Sequence, residues 1–379
     1  MSLKRQFLWA AVSCLGLGIS ACGGSAAPAS APVSSAAAAA PASSAPAKPA
    51  ASAPASAAGP AAASAAAKPA ASSAAASAAA AAKPGASGLL PIKMVYAQNA
   101  AVQEPIFVAK DAGFWAKNGL DVAMTRVGGT AQVPAITSGE AAFANTGANE
   151  VTAAVLNGAP LVMIGTLSDL PIFDLYSNKK YASLQDLTGQ TIGITAAGAS
   201  TDAEARLILR KNGLEGKVKI APSGGTFPSI LAAMEQGGIQ AGVIGPPFTA
   251  EAARKYTKLI DGLTLGPMNV SGLTATKTYL KDHPDVTKQF LKGYVEAWNW
   301  AADPANKDQV VKIVAKWTES SDADAEVGYQ TMDRVLKATK LPSVDPASVE
   351  SILSVATDPK AQAADPNTFI DNSFIKSLQ

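Results

Sequence analysis

Over residues 91–379 the apolar positions switch repeatedly between a spacing of two and a spacing near 3.6. Each switch marks a strand giving way to a helix. Residues 92–96 read as a strand and 105–117 as a helix, with Gly119 at its C-terminal cap. Residues 120–127 form a second strand, and Gly128-Gly129-Thr130 opens a helix to about 138. A short strand at 141–145, a helix at 149–156 and a buried-type strand at 161–167 complete a first block.

A second block of the same kind begins near Leu184. It comprises strand 190–195, helix 201–211, strand 218–221, a helix from Ser223-Gly224-Gly225-Thr226 to about 236, and strand 239–244. Thr201 and Glu204 have capping-box spacing, and Gly213 closes that helix. Gly245-Pro246-Pro247 starts the next helix, with proline in its first turn. Alternation of this kind predicts mainly parallel sheets covered by helices. Beyond Pro284 the pattern becomes all helical, with segments near 286–301, 309–318, 323–338 and 346–355.

The first 90 residues follow neither period. Lys4 and Arg5 precede an apolar run, 7–19, that ends in the small residues Ser20 and Ala21. Residues 1–21 therefore read as a secretory signal peptide. The run Ile19-Ser20-Ala21-Cys22 resembles the bacterial lipobox, which makes Cys22 the expected lipidation site and places the protein on the outer face of the cytoplasmic membrane, in a periplasm or at the cell surface. Residues 23–88 are almost all Ala, Ser and Pro and contain no Leu, Ile, Phe, Tyr or Trp. Such a segment buries too little apolar surface to offset its ordering entropy. Residues 22–90 are thus expected to form a lipidated cysteine and a disordered tether, with an end-to-end distance of roughly 45 Å.

Cys14 and Cys22 are the only cysteines, so the folded part has no disulfide, no thiolate nucleophile and no cysteine metal site. The formal charge of +2 is misleading. Lys4, Arg5, Lys48, Lys68 and Lys83 lie in the signal and tether, which leaves 26 basic against 29 acidic residues, near −3. No basic block favours nucleic acid. The lone His283, between Asp282 and Pro284, reads as a solvated turn residue. Walker A, dinucleotide and nucleophile-elbow motifs are missing, so the expectation is a protein that is not an enzyme and needs no cofactor or metal.

What stands out is a set of glycine- and hydroxyl-rich helix entrances after strands. In open α/β sheets ligands bind beyond the carboxyl ends of strands, where helix N-termini offer free amides. The candidate ligand-binding residues are Gln98, Asn99, Thr130, Asn145, Thr146, Ser200, Thr201, Thr226, Phe227 and Pro247.

Four segments carry a family resemblance. Residues 105–122 (PIFVAKDAGFWAKNGLDV), 138–144 (SGEAAFA), 184–194 (LQDLTGQTIGI) and 237–243 (GGIQAGV) resemble the substrate-binding proteins of nitrate/sulfonate/taurine-type ABC importers, within the superfamily of thiamine-pyrimidine-synthase-like proteins. The resemblance covers about 91–300 well and the later helices loosely. It implies an α/β protein with the type II periplasmic-binding-protein fold, whose two lobes close by a hinge over a ligand. The first lobe is expected at about 91–183 and 270–379, the second at about 184–269.

The implied function is capture of a small organic molecule or anion for an ABC importer permease by a monomeric lipoprotein. The implied solutes are a sulfonate, an aromatic acid, a pyrimidine precursor or a similar compound. Two features depart from the family pattern. Gly242 stands where many members carry an acidic residue or alanine, and no arginine stands beside the cleft loops to clamp an anion. The alternatives are an enzyme related to thiamine-pyrimidine synthesis, which the resemblance says needs a histidine and a cysteine-containing iron segment, and a ligand-binding lipoprotein serving a membrane sensor.

Overall fold

The computed structural model describes residues 88–128 and 131–379. The signal, Cys22, the tether and Thr130 lie outside the described residues. Among the described residues ten strands form two five-stranded sheets of the same design. The first contains β1 (Leu90–Tyr96), β2 (Leu120–Arg126), β3 (Phe143–Thr146), β4 (Leu161–Ser168) and β10 (Ser271–Thr276) in the order β2-β1-β3-β10-β4. The second contains β5 (Asp174–Ser177), β6 (Thr191–Ile194), β7 (Lys219–Pro222), β8 (Ala241–Ile244) and β9 (Thr257–Ile260) in the order β7-β6-β8-β5-β9. In each sheet the first three strands are parallel, and the fourth is antiparallel to both its neighbours.

That antiparallel strand is the one that has just arrived from the other lobe. The chain leaves β4 at Ser168 and enters the second sheet as β5, then leaves β9 at Ile260 and re-enters the first as β10. β5 thus belongs to the second sheet although it lies before residue 183, where the first lobe was expected to end. Three strands escaped the sequence pattern: β5, β9 and β10. β10 is Ser-Gly-Leu-Thr-Ala-Thr, half hydroxyl, yet nearly all of it is buried between β3 and β4. Gly272 makes this possible, since a Cβ there would lie 2.6 Å from Met163 Cε and 3.0 Å from the Gly165 carbonyl.

Helices cover both sheets. In the first lobe they are α1 (Glu104–Asp111), α2 (Phe114–Lys117), α3 (Gln132–Thr137) and α4 (Ala148–Leu156). The single helix expected over 105–117 is broken at Gly113, whose φ of 78° is a left-handed conformation that glycine accepts freely. The second lobe carries α5 (Ser200–Lys211), α6 (Phe227–Glu235) and α7 (Phe248–Lys255). Gly242, the departure from the family pattern, has a packing reason: a Cβ would overlap Ile230 Cγ2 where α6 lies on β8.

The remaining helices are α8 (Lys277–Asp282), α9 (Pro284–Ala301), α10 (Lys307–Thr318), α11 (Asp322–Ala338), α12 (Pro346–Val355), α13 (Pro359–Gln362) and α14 (Ser373–Lys376). α9 buries Phe290 between Trp115 and Phe143, with ring centroids at 5.1 and 3.9 Å. Burial of each such side chain is worth about 1.5–3 kcal/mol. α11 and α12 touch helices of both lobes, α11 through α7 and α12 through α4 and α5. The C-terminal helices were expected in the first lobe alone; these two brace the pair.

Candidate functional site

Helices α4 and α5 begin opposite one another. Gly147, at the N-cap of α4, donates its amide to Glu150 Oε2 at 2.8 Å. Across the cleft, Asn149 Nδ2 donates to the Gly198 carbonyl at 2.5 Å, and the Ser200 hydroxyl donates to the Val270 carbonyl at 2.8 Å, with its oxygen 3.3 Å from Asn149 Oδ1. The first-turn amides of a helix have no acceptor within it, so two such ends present free N–H groups and two positive dipole ends to the same space.

Between them lies a cavity of about 290 Å³. Gln98, Gln103, Gln132, Asn145, Thr146 and Glu150 line it from the first lobe. Thr195, Ser200, Thr201 and Gly225 line it from the second, with Phe173, Val270 and Ser271 from the two crossings. Among the described residues its wall is amide, hydroxyl and apolar, with Glu150 the one ionisable side chain.

Much of the wall is fixed by internal bonds. Asn145 Nδ2 donates to Ser271 Oγ at 2.7 Å, tying β3 to β10 at the second crossing. Gln103 Nε2 donates to Asn145 Oδ1 at 3.0 Å. The hydroxyls of Thr146 and Thr274 share a hydrogen bond of 2.6 Å, and those of Thr195 and Thr201 one of 2.8 Å. Glu150 is only 7% exposed. Burial pushes its carboxyl up to about 8, against the pull of its own backbone amide and that of Gly147.

Of the residues singled out from sequence, Gln98, Asn145, Thr146, Ser200 and Thr201 reach the cavity wall. Thr130 lies outside the described residues. Four others sit elsewhere. Asn99 Oδ1 accepts from the Tyr96 hydroxyl at 3.0 Å. Thr226 caps α6, accepting from the Ser229 amide at 3.3 Å. Phe227 is fully buried behind Phe173, with ring centroids at 5.5 Å. Pro247 occupies the N-cap position of α7, and it is the Pro246 carbonyl that accepts the Ala101 amide of the first lobe at 2.9 Å.

The capping box expected of Thr201 and Glu204 is not formed. Ala199 is the N-cap of α5, Thr201 bonds Thr195, and Glu204 is buried with its acidity suppressed, by burial first and by Asp174 second. At the head of α4 only one half of such a box is made, Glu150 Oε2 accepting the Gly147 amide, because glycine has no side chain to return the bond. Arg206 pairs with Asp202 at 2.8 Å and is structural, and His283 lies against Tyr279 at the α8–α9 junction. Gln103, Gln132 and Thr195 gave no sequence signal, because their place on the wall depends on chain segments far apart.

Two lobes, each a mixed five-stranded sheet with helices, enclosing a polar cavity at their crossings, define the periplasmic-binding-protein architecture. The chain belongs to the family described as NMT1/THI5 like, which it matches over residues 101–307. It is 28% identical over 131 residues to the nitrate/nitrite binding protein NrtA of Synechococcus elongatus, a match that spans 32% of this chain and 28% of that protein's length.

Three solved structures share the fold. The ligand-binding component of an ABC-type import system from Staphylococcus aureus, with zinc bound, superposes at TM-score 0.65 and 14% identity, covering 76% of this chain and 99% of that one. The periplasmic aliphatic sulphonate binding protein SsuA of Escherichia coli gives 0.60 at 19%, over 76% and 99%. The nitrate-binding protein NrtA of Synechocystis PCC 6803 gives 0.60 at 12%, over 76% and 88%.

Proposed function

We propose that the protein is an exported, lipid-anchored solute-binding protein that captures a small organic molecule or anion in the interlobe cavity and passes it to an ABC importer. The observation that carries this reading is the meeting of the α4 and α5 N-termini, one from each lobe, across a polar cavity. A solute bridging them is held by both lobes at once, which couples binding to closure. The family membership and the names of the relatives, which speak of nitrate, nitrite and aliphatic sulphonates, support the same class of solute. A cavity of about 290 Å³ suits a small solute. The lipid anchor rests on the lipobox-like run ending in Cys22.

A thermal-shift screen of the purified protein against small sulfonates, carboxylates and inorganic oxyanions tests the reading, since a solute that binds only the folded form raises the melting temperature. A hit is expected among them, accompanied by compaction in small-angle scattering. A binder that produces no compaction would place binding outside the cleft.

A further inference from the structure

Resting on the solute-binding reading, we propose that Glu150 sets the charge selectivity of the cleft: it meets an anionic group of the solute as a hydrogen-bond donor, and its ionisation releases that group.

The argument begins with the donors the cavity has left to offer. The hydroxyls of Thr146, Thr195, Ser200 and Thr201 are engaged with protein partners. No lysine or arginine is on the wall among the described residues. What remains is the Gln98 carboxamide, the positive field of two helix ends and the Glu150 carboxyl, of which only the last changes charge with pH. Glu150 Oε2 sits on the Gly147 amide, at the head of α4. An ionised Glu150 therefore occupies that field itself and acts as an internal competitor for any anion. The neutral acid vacates the field electrostatically, and its O–H supplies the donor that an arginine would otherwise provide.

The surroundings favour the neutral form. α4 carries no other charged side chain. It packs against α3, α5, α12, α13, β4, β10 and the uncharged 3₁₀ turn Pro366–Phe369. Of these, α3, β4 and β10 carry no charge. α5 carries Asp202, Glu204, Arg206, Arg210 and Lys211; α12 carries Glu350 and α13 carries Lys360. Asp202 is paired with Arg206, and Arg210 donates to the Ser354 carbonyl. None of these groups contributes to the displacement of the Glu150 carboxyl, which burial drives. Anion binding to the neutral acid is linked to the proton, so affinity declines by up to about tenfold per pH unit once Glu150 ionises.

The test uses wild type and Glu150→Gln, which keeps an acceptor for Gly147 and a donor for the solute but cannot ionise. Affinity for methanesulfonate, nitrate and acetate, and for uncharged acetamide, is measured by calorimetry from pH 6 to pH 9.5. The carboxyl of Glu150 is followed by carbon-13 NMR in the ligand-free protein. The readout is the slope of affinity against pH, not the affinity of either protein at one pH. Expected are a fall for the anions above about pH 8 in wild type, net proton uptake on binding there, and a flat profile in the variant. Equal slopes in the two proteins overturn the proposal, as does a carboxyl that titrates in the ordinary range near 4.5. Binding of acetamide alone, independent of pH, overturns it and leaves the solute-binding reading standing. Failure of every probe overturns it, and a rise in melting temperature with uncharged or cationic solutes, added to the thermal-shift screen for this purpose, then leaves the solute-binding reading standing.

Discussion

At the residue scale, two substitutions separate the cleft from the fold. Gly147 has φ of −81°, so alanine is unstrained there in backbone terms. Its Cβ, however, would overlap Ser200 Oγ and lie 2.6 Å from Asn149 Oδ1. Since Ser200 is in the opposite lobe, Gly147→Ala is expected to prop the cleft open while leaving each lobe intact. Small-angle scattering should show the loss of solute-induced compaction, with the circular dichroism spectrum unchanged; normal closure would contradict the close approach. Thr226→Ala is the converse. Loss of an N-cap destabilises by about 0.5–2 kcal/mol. Because Thr226 caps α6 away from the cavity, the variant should unfold at lower denaturant with solute affinity within about twofold of wild type. The sequence placed both threonines, 201 and 226, at helix entrances, but the direction in which each hydroxyl points depends on partners that local spacing does not specify.

At the element scale, Asp169 is the fastening between the two crossings and the C-terminal helices. Its Oδ1 accepts from Thr166 Oγ1 at 3.0 Å, Asn269 Nδ2 at 2.7 Å and Ser348 Oγ at 2.8 Å, and its Oδ2 from the Asp345 amide at 2.8 Å. Thr166 lies in the first lobe's β4, Asn269 belongs to the second crossing, and Asp345 caps α12. Asp169→Ala leaves several buried donors unpaired, at about 1–3 kcal/mol for each that water cannot reach. A stability loss of several kcal/mol in urea unfolding is expected, and a loss below about 1 kcal/mol would show that water replaces the carboxylate freely. Strongly periodic elements such as β1 and α9 were legible from their apolar spacing. β5 and β10 were not, because a crossing strand buried on both faces by other elements has no need of alternation and tolerates Ser, Thr and Gly.

At the scale of the whole molecule, buried acids set the response to pH. Glu104, Glu150, Glu204, Asp169 and Asp174 all have their carboxyls raised by burial. A group raised in the folded state contributes stability that is fully present below its unfolded value and is lost as pH rises through its folded value. For Glu150 that window runs from 4.5 to about 8. Unfolding free energy should therefore fall across this range, and Glu150→Gln should recover up to a few kcal/mol of it at the alkaline end. Parallel stability curves for the two proteins would refute this. A second prediction concerns attachment. Cys22→Ser should shift the protein from the membrane fraction to a soluble or unprocessed form, and unchanged retention and mass would sink the lipid anchor.

The sequence by itself determined the alternation of strands and helices, the all-helical C-terminal stretch, the absence of thiols from the folded part and the family segments, because each depends on composition or on neighbours within a few positions. The tertiary structure decided which strand joins which sheet, since β5 and β10 take their places only when the chain crosses between lobes and finds a gap beside β8 or β3. It also decided the membership of the cavity. Asn145 meets Ser271 at a separation of 126 residues, and Asn149 meets Gly198 at 49. Glu150 shows the division most plainly: its spacing from Gly147 is local, but the burial that raises its carboxyl comes from elements distant in sequence that pack around α4.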